Sequence, residues 1–103
     1  MSKLIKVAQM NEVSPGTSKV VQAAGRSIAL FNVAGTFHAI DNTCPHEAGP
    51  LGEGTLTGEV VTCPWHGAEF NVKTGEVLGP PAYEGVQCFP VKIQGNEVMV
   101  EVE

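Results

Sequence analysis

The apolar residues of this chain come in short runs, the longest being Ile28-Ala29-Leu30-Phe31, and glycine or proline punctuates the sequence between them. A membrane-spanning helix needs about 20 consecutive apolar residues. An amphipathic helix needs a 3.6-residue period sustained over about 11 or more. No segment supplies either, and only Val7 to Val13 offers enough for one helical turn. The runs instead read as strands joined by tight turns. Ser18 to Ala24 is followed by a turn at Gly25-Arg26 and a second strand, Ser27 to Val33. Ala34-Gly35 then turns the chain into Thr36 to Asp41. Glu59 to Thr62 is a short β-branched run. The C-terminal stretch Glu97 to Glu103 alternates most clearly, with Val98, Val100 and Val102 on one face and Glu97, Met99, Glu101 and Glu103 on the other. Its hairpin partner is Val86 to Gln94 across Gly95-Asn96, and Pro90 marks an edge or bulge in that strand.

The pattern predicts an all-β protein, an antiparallel sandwich or small barrel. At 103 residues it is expected to be one domain, residues 1–103, too short for a cofactor fold plus a separate substrate fold. The 12 Gly and 7 Pro exceed average usage of roughly 12% for the two together. They concentrate in three loops, Asn42 to Gly58, Pro64 to Ala68 and Leu78 to Gly85. Such loops on a rigid scaffold are where function usually sits.

Six Lys and Arg face 11 Asp and Glu, a net charge of −5. Nucleic acid is disfavoured as a partner, because neutralising phosphates requires clustered basic side chains, and so is an anionic membrane surface. The N-terminal Met1-Ser2-Lys3-Leu4-Ile5-Lys6 lacks the apolar core of a secretion signal. Three cysteines make a poor disulfide framework and suit a reducing compartment. The expected location is the cytoplasm.

Two of the loops carry the chemistry. Cys44-Pro45-His46 is followed, after sixteen residues, by Cys63-Pro64-Trp65-His66. Each loop thus offers one thiolate and one imidazole, and four such side chains in two matched pairs point to a metal site. A tetrahedral zinc would accept two Cys and two His, although zinc modules usually pair like with like. A two-iron cluster accommodates the mixed pairs directly, with both cysteines on one iron and both histidines on the other. The remaining residues of this kind read more plainly. Cys88 is expected to be a small buried hydrophobe, and His38 a surface or half-buried strand residue. Trp65 either shields the metal site or meets a partner.

The spacing C-x-H-x16-C-x2-H resembles that of Rieske-type ferredoxins. Similarity extends to Phe31-Asn32-Val33 and Ala39-Ile40-Asp41-Asn42-Thr43 before the first loop, to Gly49-Pro50-Leu51 at its exit, and to Leu78-Gly79-Pro80-Pro81, which resembles the proline-rich loop covering the cluster. The resemblance implies a Rieske fold with two cluster-binding loops at one end. It also implies one [2Fe–2S] cluster held by Cys44, His46, Cys63 and His66. Replacing two anionic thiolates with neutral imidazoles makes the cluster easier to reduce. Rieske potentials accordingly lie at roughly −150 to +300 mV, against about −400 mV for four-cysteine plant-type ferredoxins. In quinol-oxidising relatives a Ser and a Tyr donate hydrogen bonds that favour the reduced cluster. Ala68 and Phe70 stand at the matching positions, and Gly49 and Trp65 stand where those relatives carry a disulfide. The resemblance therefore implies a potential near the bottom of the range.

Within that family the chain resembles the ferredoxin component of multicomponent aromatic-ring dioxygenases. The implied role is non-catalytic. A monomeric carrier would take one electron at a time from a flavin-dependent NAD(P)H ferredoxin reductase and deliver it to a terminal oxygenase. A Rieske-like small subunit of nitrite reductase and a zinc-stabilised interaction module are the alternatives.

Overall fold

The computed structural model describes residues 3–43, 50–65, 67–79 and 85–102. These form eleven strands: β1 Lys3–Gln9, β2 Ser18–Ala23, β3 Arg26–Val33, β4 Thr36–Asp41, β5 Thr55–Thr57, β6 Val60–Thr62, β7 Glu69–Asn71, β8 Val77–Gly79, β9 Cys88–Phe89, β10 Val91–Gln94 and β11 Glu97–Val102. All pair antiparallel, in three sheets ordered β1-β11-β10, β2-β3-β4-β9 and β5-β6-β7-β8. The fold is all-β, as the turn-punctuated sequence predicts.

The longest apolar run lies in the middle layer. Ile28 and Leu30 point from β3 into a core shared with Val98, Val100 and Val102 of β11 and with Phe37, Ala39 and Phe89. Ala29 and Phe31 point the other way, into a second core with Leu51, Val61, Cys63, Ala68, Phe70 and Val72. A strand buried on both faces must be continuously apolar instead of alternating. The run Ile28–Phe31, wholly buried, is the result. By contrast β11 covers only one core, and its valines alternate with half-buried Glu97, Met99 and Glu101.

Several boundaries differ from the sequence-based expectation. Lys3–Gln9 is a strand paired with β11, with a bulge between Lys6 and Ala8, and of the stretch Val7 to Val13 just Met10–Glu12 makes a 3-10 turn. The β2–β3 turn is Ala24-Gly25, one residue before Gly25-Arg26. Ala23 pairs with Arg26, and both turn residues have positive φ (+52° and +78°). Paired positive φ values are those of a type I′ turn, whose twist suits a two-residue hairpin. Pro90 separates two sheets: β9 pairs with β4 and β10 with β11, so only Val91–Gln94 forms the expected hairpin partner. Cys88 is exposed instead of buried. In the two-residue edge strand β9, Phe89 faces the core and Cys88 must face the other way. His38 is half-buried, as expected.

Candidate metal centre

The third sheet determines where the loops go. Thr55, Thr62, Glu69 and Gly79 pair in one row across its four strands. The strands alternate in direction. Beyond that row the chain therefore continues into three places at one end of the sheet: back to Leu51–Glu53, through Cys63 to Ala68, and from Gly79 onward. The described ends of the three loops read from sequence thus lie together at one end of the sheet, the tip. Two of them are shorter than expected, because β5 occupies the end of Asn42 to Gly58 and β8 the start of Leu78 to Gly85.

The root of the first loop is closed by a bridge between Thr43 and Pro50. Asp41 accepts from the Thr43 N–H (2.9 Å), and the buried Asn42 side chain accepts from the Gly52 N–H (2.7 Å). The Ser18 hydroxyl donates to the Gly52 carbonyl (2.8 Å), tying this root to β2. The second loop is a tight turn. The Cys63 N–H donates to the Ala68 carbonyl (2.7 Å) and the Gly67 N–H to the Cys63 carbonyl (3.1 Å), with Gly67 at φ +77°. The two roots touch. A Cβ on Gly54 would overlap the Thr62 carbonyl oxygen, the residue just before Cys63. Leu51 from the first root and Cys63, Ala68 and Phe70 from the second share one apolar core.

Of the four proposed ligands, Cys63 lies among the described residues; Cys44, His46 and His66 lie outside them, as do Gly49 and Pro80-Pro81. Cys63 is a free cysteine only 3% exposed, set in apolar surroundings. A bare thiolate is costly in such a place, and binding a positively charged iron removes that cost. The donor chemistry and the burial fit a cluster. Next to it Trp65 is 55% exposed, and Leu78 on β8 is 46% exposed. The indole therefore does not lie in the core as a shield. Sequence reasoning missed Gly54 and Asn42, which hold the loop roots together. Gly54 has an ordinary negative φ of −79°, so only the packing reveals why it is glycine.

Residues 3–90 match the Rieske [2Fe-2S] domain. The chain belongs to the Rieske [2Fe–2S] family. The cofactor of this Rieske protein is a [2Fe–2S] cluster, which replaces the zinc alternative. It is 35% identical to the ferredoxin component of the naphthalene 1,2-dioxygenase system of Pseudomonas aeruginosa, over 97% of this chain and 96% of the relative. Identity to the biphenyl dioxygenase ferredoxin subunit of Pseudomonas sp. strain KKS102 is 38%, over 93% and 89%. Among solved structures, a complex of reduced oxygenase and oxidised ferredoxin in carbazole 1,9a-dioxygenase contains a chain with TM-score 0.89 and 37% identity, covering 94% of this chain and 91% of that one. A nitrite reductase small subunit from Mycobacterium tuberculosis shares the fold (TM-score 0.88) at 21% identity. That likeness is one of fold alone. No helix among the described residues is long and apolar enough to cross a membrane.

Proposed function

We propose that this Rieske protein is the ferredoxin component of an aromatic-ring dioxygenase system, a one-electron carrier that does no catalysis of its own. The proposed ligands are Cys44 and Cys63 on one iron, with His46 and His66 on the other. The donor is an NAD(P)H-dependent flavin reductase and the acceptor a terminal oxygenase, with the carrier working as a cytoplasmic monomer and residues 1–103 acting as one domain. The observation that carries this reading is the position of Cys63: a buried thiol on a turn at the tip, two residues before the exposed Trp65. A cluster there is shielded from water yet close to whatever docks against the indole. The full-length likeness to dioxygenase ferredoxins supports the oxygenase as acceptor over nitrite reductase.

The cluster supplies the one-electron redox centre, and this chain's residues position it and limit its exposure. The oxidised core's two positive charges balance two thiolates, so reduction adds one negative charge to a protein already at −5. The test is direct. Protein reduced anaerobically by a ferredoxin reductase is mixed with an oxidised ring-hydroxylating terminal oxygenase. Reoxidation of the carrier's visible bands, with matching reduction of the oxygenase, is expected. A carrier that stays reduced in the presence of every such oxygenase tried refutes the assignment.

A further inference from the structure

Pro90 takes the chain out of the middle sheet and leaves part of β4 uncovered. Strand β9 pairs with Ala39 and Ile40, and among the described residues no strand pairs with Thr36 to His38 on that side. The Asp41 N–H donates to the Gln87 carbonyl (2.9 Å), on the β9 side of β4. Backbone groups along a strand alternate with a period of two, so the N–H and C=O of Phe37 are aimed the same way, into the gap. The gap is a groove of about 440 Å³ between the β4 edge, Pro90 and Lys73. That is room for a small molecule. Lys73 follows β7, whose Glu69 end adjoins the tip, so the groove lies at the other end of the third sheet. Three side chains bring chemistry to it. Cys88 exposes its thiol there. It stands opposite Ile40 and therefore shares a face with His38, its diagonal neighbour. The His38 Nε2 is buried with no hydrogen-bond partner among the described residues. Lys73 supplies a cation; Glu59 takes one of its hydrogen bonds (2.9 Å), and an ammonium has three to give.

We propose that this groove is a thiol-modification site for a small peptide disulfide with free carboxylates, of the class of oxidised glutathione, and that Cys88 is the residue modified. Each part of such a ligand meets a part of the groove. Its amides meet the open edge of β4, to which an extended peptide can add as a short strand. A carboxylate meets the remaining N–H donors of Lys73. The disulfide meets the Cys88 sulfur. The step is thiol–disulfide exchange. The Cys88 sulfur attacks one sulfur of the disulfide, a new S–S bond forms to Cys88, and the old S–S bond breaks. The proton of the Cys88 thiol ends on the thiol released. Cys88 is oxidised and one half of the incoming disulfide is reduced, so no other oxidant is needed. His38 is a base beside this path; burial lowers its pKa and keeps the ring unprotonated near neutral pH. The product is a reversible cap that keeps the exposed thiol from irreversible oxidation.

The site is remote from the cluster and independent of the carrier role. Cluster-loaded protein is incubated anaerobically with oxidised glutathione or with hydroxyethyl disulfide, which has neither peptide groups nor charge. Adducts are followed by intact-protein mass spectrometry without reductant, and each rate is normalised to that of N-acetylcysteine with the same disulfide. Wild type is expected to gain one adduct per chain, on Cys88, removable by dithiothreitol, with the visible spectrum unchanged. Oxidised glutathione is expected to react about five-fold faster than the neutral disulfide, the worth of one exposed ion pair, although the protein itself carries a charge of −5. Lys73→Ala is expected to lose this preference and Lys73→Arg to keep it. Lys19→Ala removes another ion-paired lysine, on β2, and is expected to behave as wild type. Cys88→Ser is expected to gain no adduct from either disulfide. Equal normalised rates in wild type mean an exposed thiol without a site and overturn the proposal. So do adducts that persist in Cys88→Ser, and a preference that Lys73→Ala leaves intact or that Lys19→Ala removes equally.

Discussion

Cys63 and Cys88 are chemically identical, and the fold gives them opposite surroundings. Cys63 lies in the apolar core at the tip, whereas Cys88 is exposed on the edge strand of another sheet. Cys63→Ser is expected to abolish the visible absorption and the bound iron, while Cys88→Ser leaves both at full stoichiometry; iron and labile-sulfide assay of the two variants checks this. Ala68 and Phe70 are completely buried beside Cys63, and neither carries a hydroxyl. The double variant Ala68→Ser with Phe70→Tyr is expected to raise the midpoint potential, because added donors favour the more negative reduced cluster. Voltammetry showing an unchanged or lower value contradicts that account. The two hydroxyls enter a dry core, so a stability loss of about 1–3 kcal/mol is also expected if they find no acceptor.

His38 shows how a residue outside the cluster responds to the fold. Its Nε2 is buried and has no hydrogen-bond partner among the described residues. Burial, reinforced by the nearby Lys73 and opposed by Glu59, holds its pKa below the ordinary value of 6.5. The unfolded chain therefore binds the proton more readily than the native one. Stability from this group is present above pH 6.5 and is lost as pH falls toward the native pKa and below it. Thermal melts are expected to weaken on acidification through that range. The slope should be shallower in His38→Gln, and identical slopes in the two proteins would assign the acid sensitivity elsewhere.

At the scale of elements, the exit of the first loop and the entry of the second lie side by side because β5 and β6 pair, Thr55 opposite Thr62. Just beyond that pair, Gly54 packs closely on the Thr62 carbonyl, so that the roots themselves touch. Gly54→Ala places a methyl group where that carbonyl oxygen sits, and the neighbour is backbone, which cannot swing aside. The variant is expected to keep the base sheets folded, with β-type circular dichroism, but to bind substoichiometric iron. Full cluster occupancy in Gly54→Ala would show that the roots need not touch. The middle strand makes a different demand. Leu30 is wholly buried between the first two sheets, away from the cluster core. Leu30→Ala should cost about 2–5 kcal/mol in denaturant unfolding, with the visible spectrum of the folded protein unchanged.

At the scale of the molecule, the three sheets divide the work. Two of them form a neutral sandwich whose core is Ile28, Leu30, Val98, Val100 and their neighbours. The third sheet carries the tip loops, the whole net charge and the exposed indole. Its inner face, lined by Leu56, Val61, Phe70 and Val77, packs on the back of the middle sheet through Ala29, Phe31 and Ile40. The cluster end is thereby anchored to the rigid layer without contributing to the other core. That separation lets the tip vary in charge and shape while the base preserves stability.

Much of this was legible in the residues themselves. Positive-φ turns, alternating valines and the doubly buried run follow from local rules of backbone geometry and burial, so β2, β3, β4 and β11 could be read nearly to their ends. The paired Cys-Pro-His and Cys-Pro-Trp-His segments read as a metal site because few other arrangements need those side chains at that spacing; the Rieske match shows the cluster, and the four side chains are its proposed ligands. What the sequence left open are contacts between distant residues. Strand β1 exists because Lys3–Gln9 meets β11, some ninety residues away. Pro90 changes sheets, Cys88 faces outward and Gly54 must be glycine, each because of a neighbour that chain order does not reveal. Local propensity acts over a few residues, whereas strand pairing and close packing are settled only when the whole chain has found its partners.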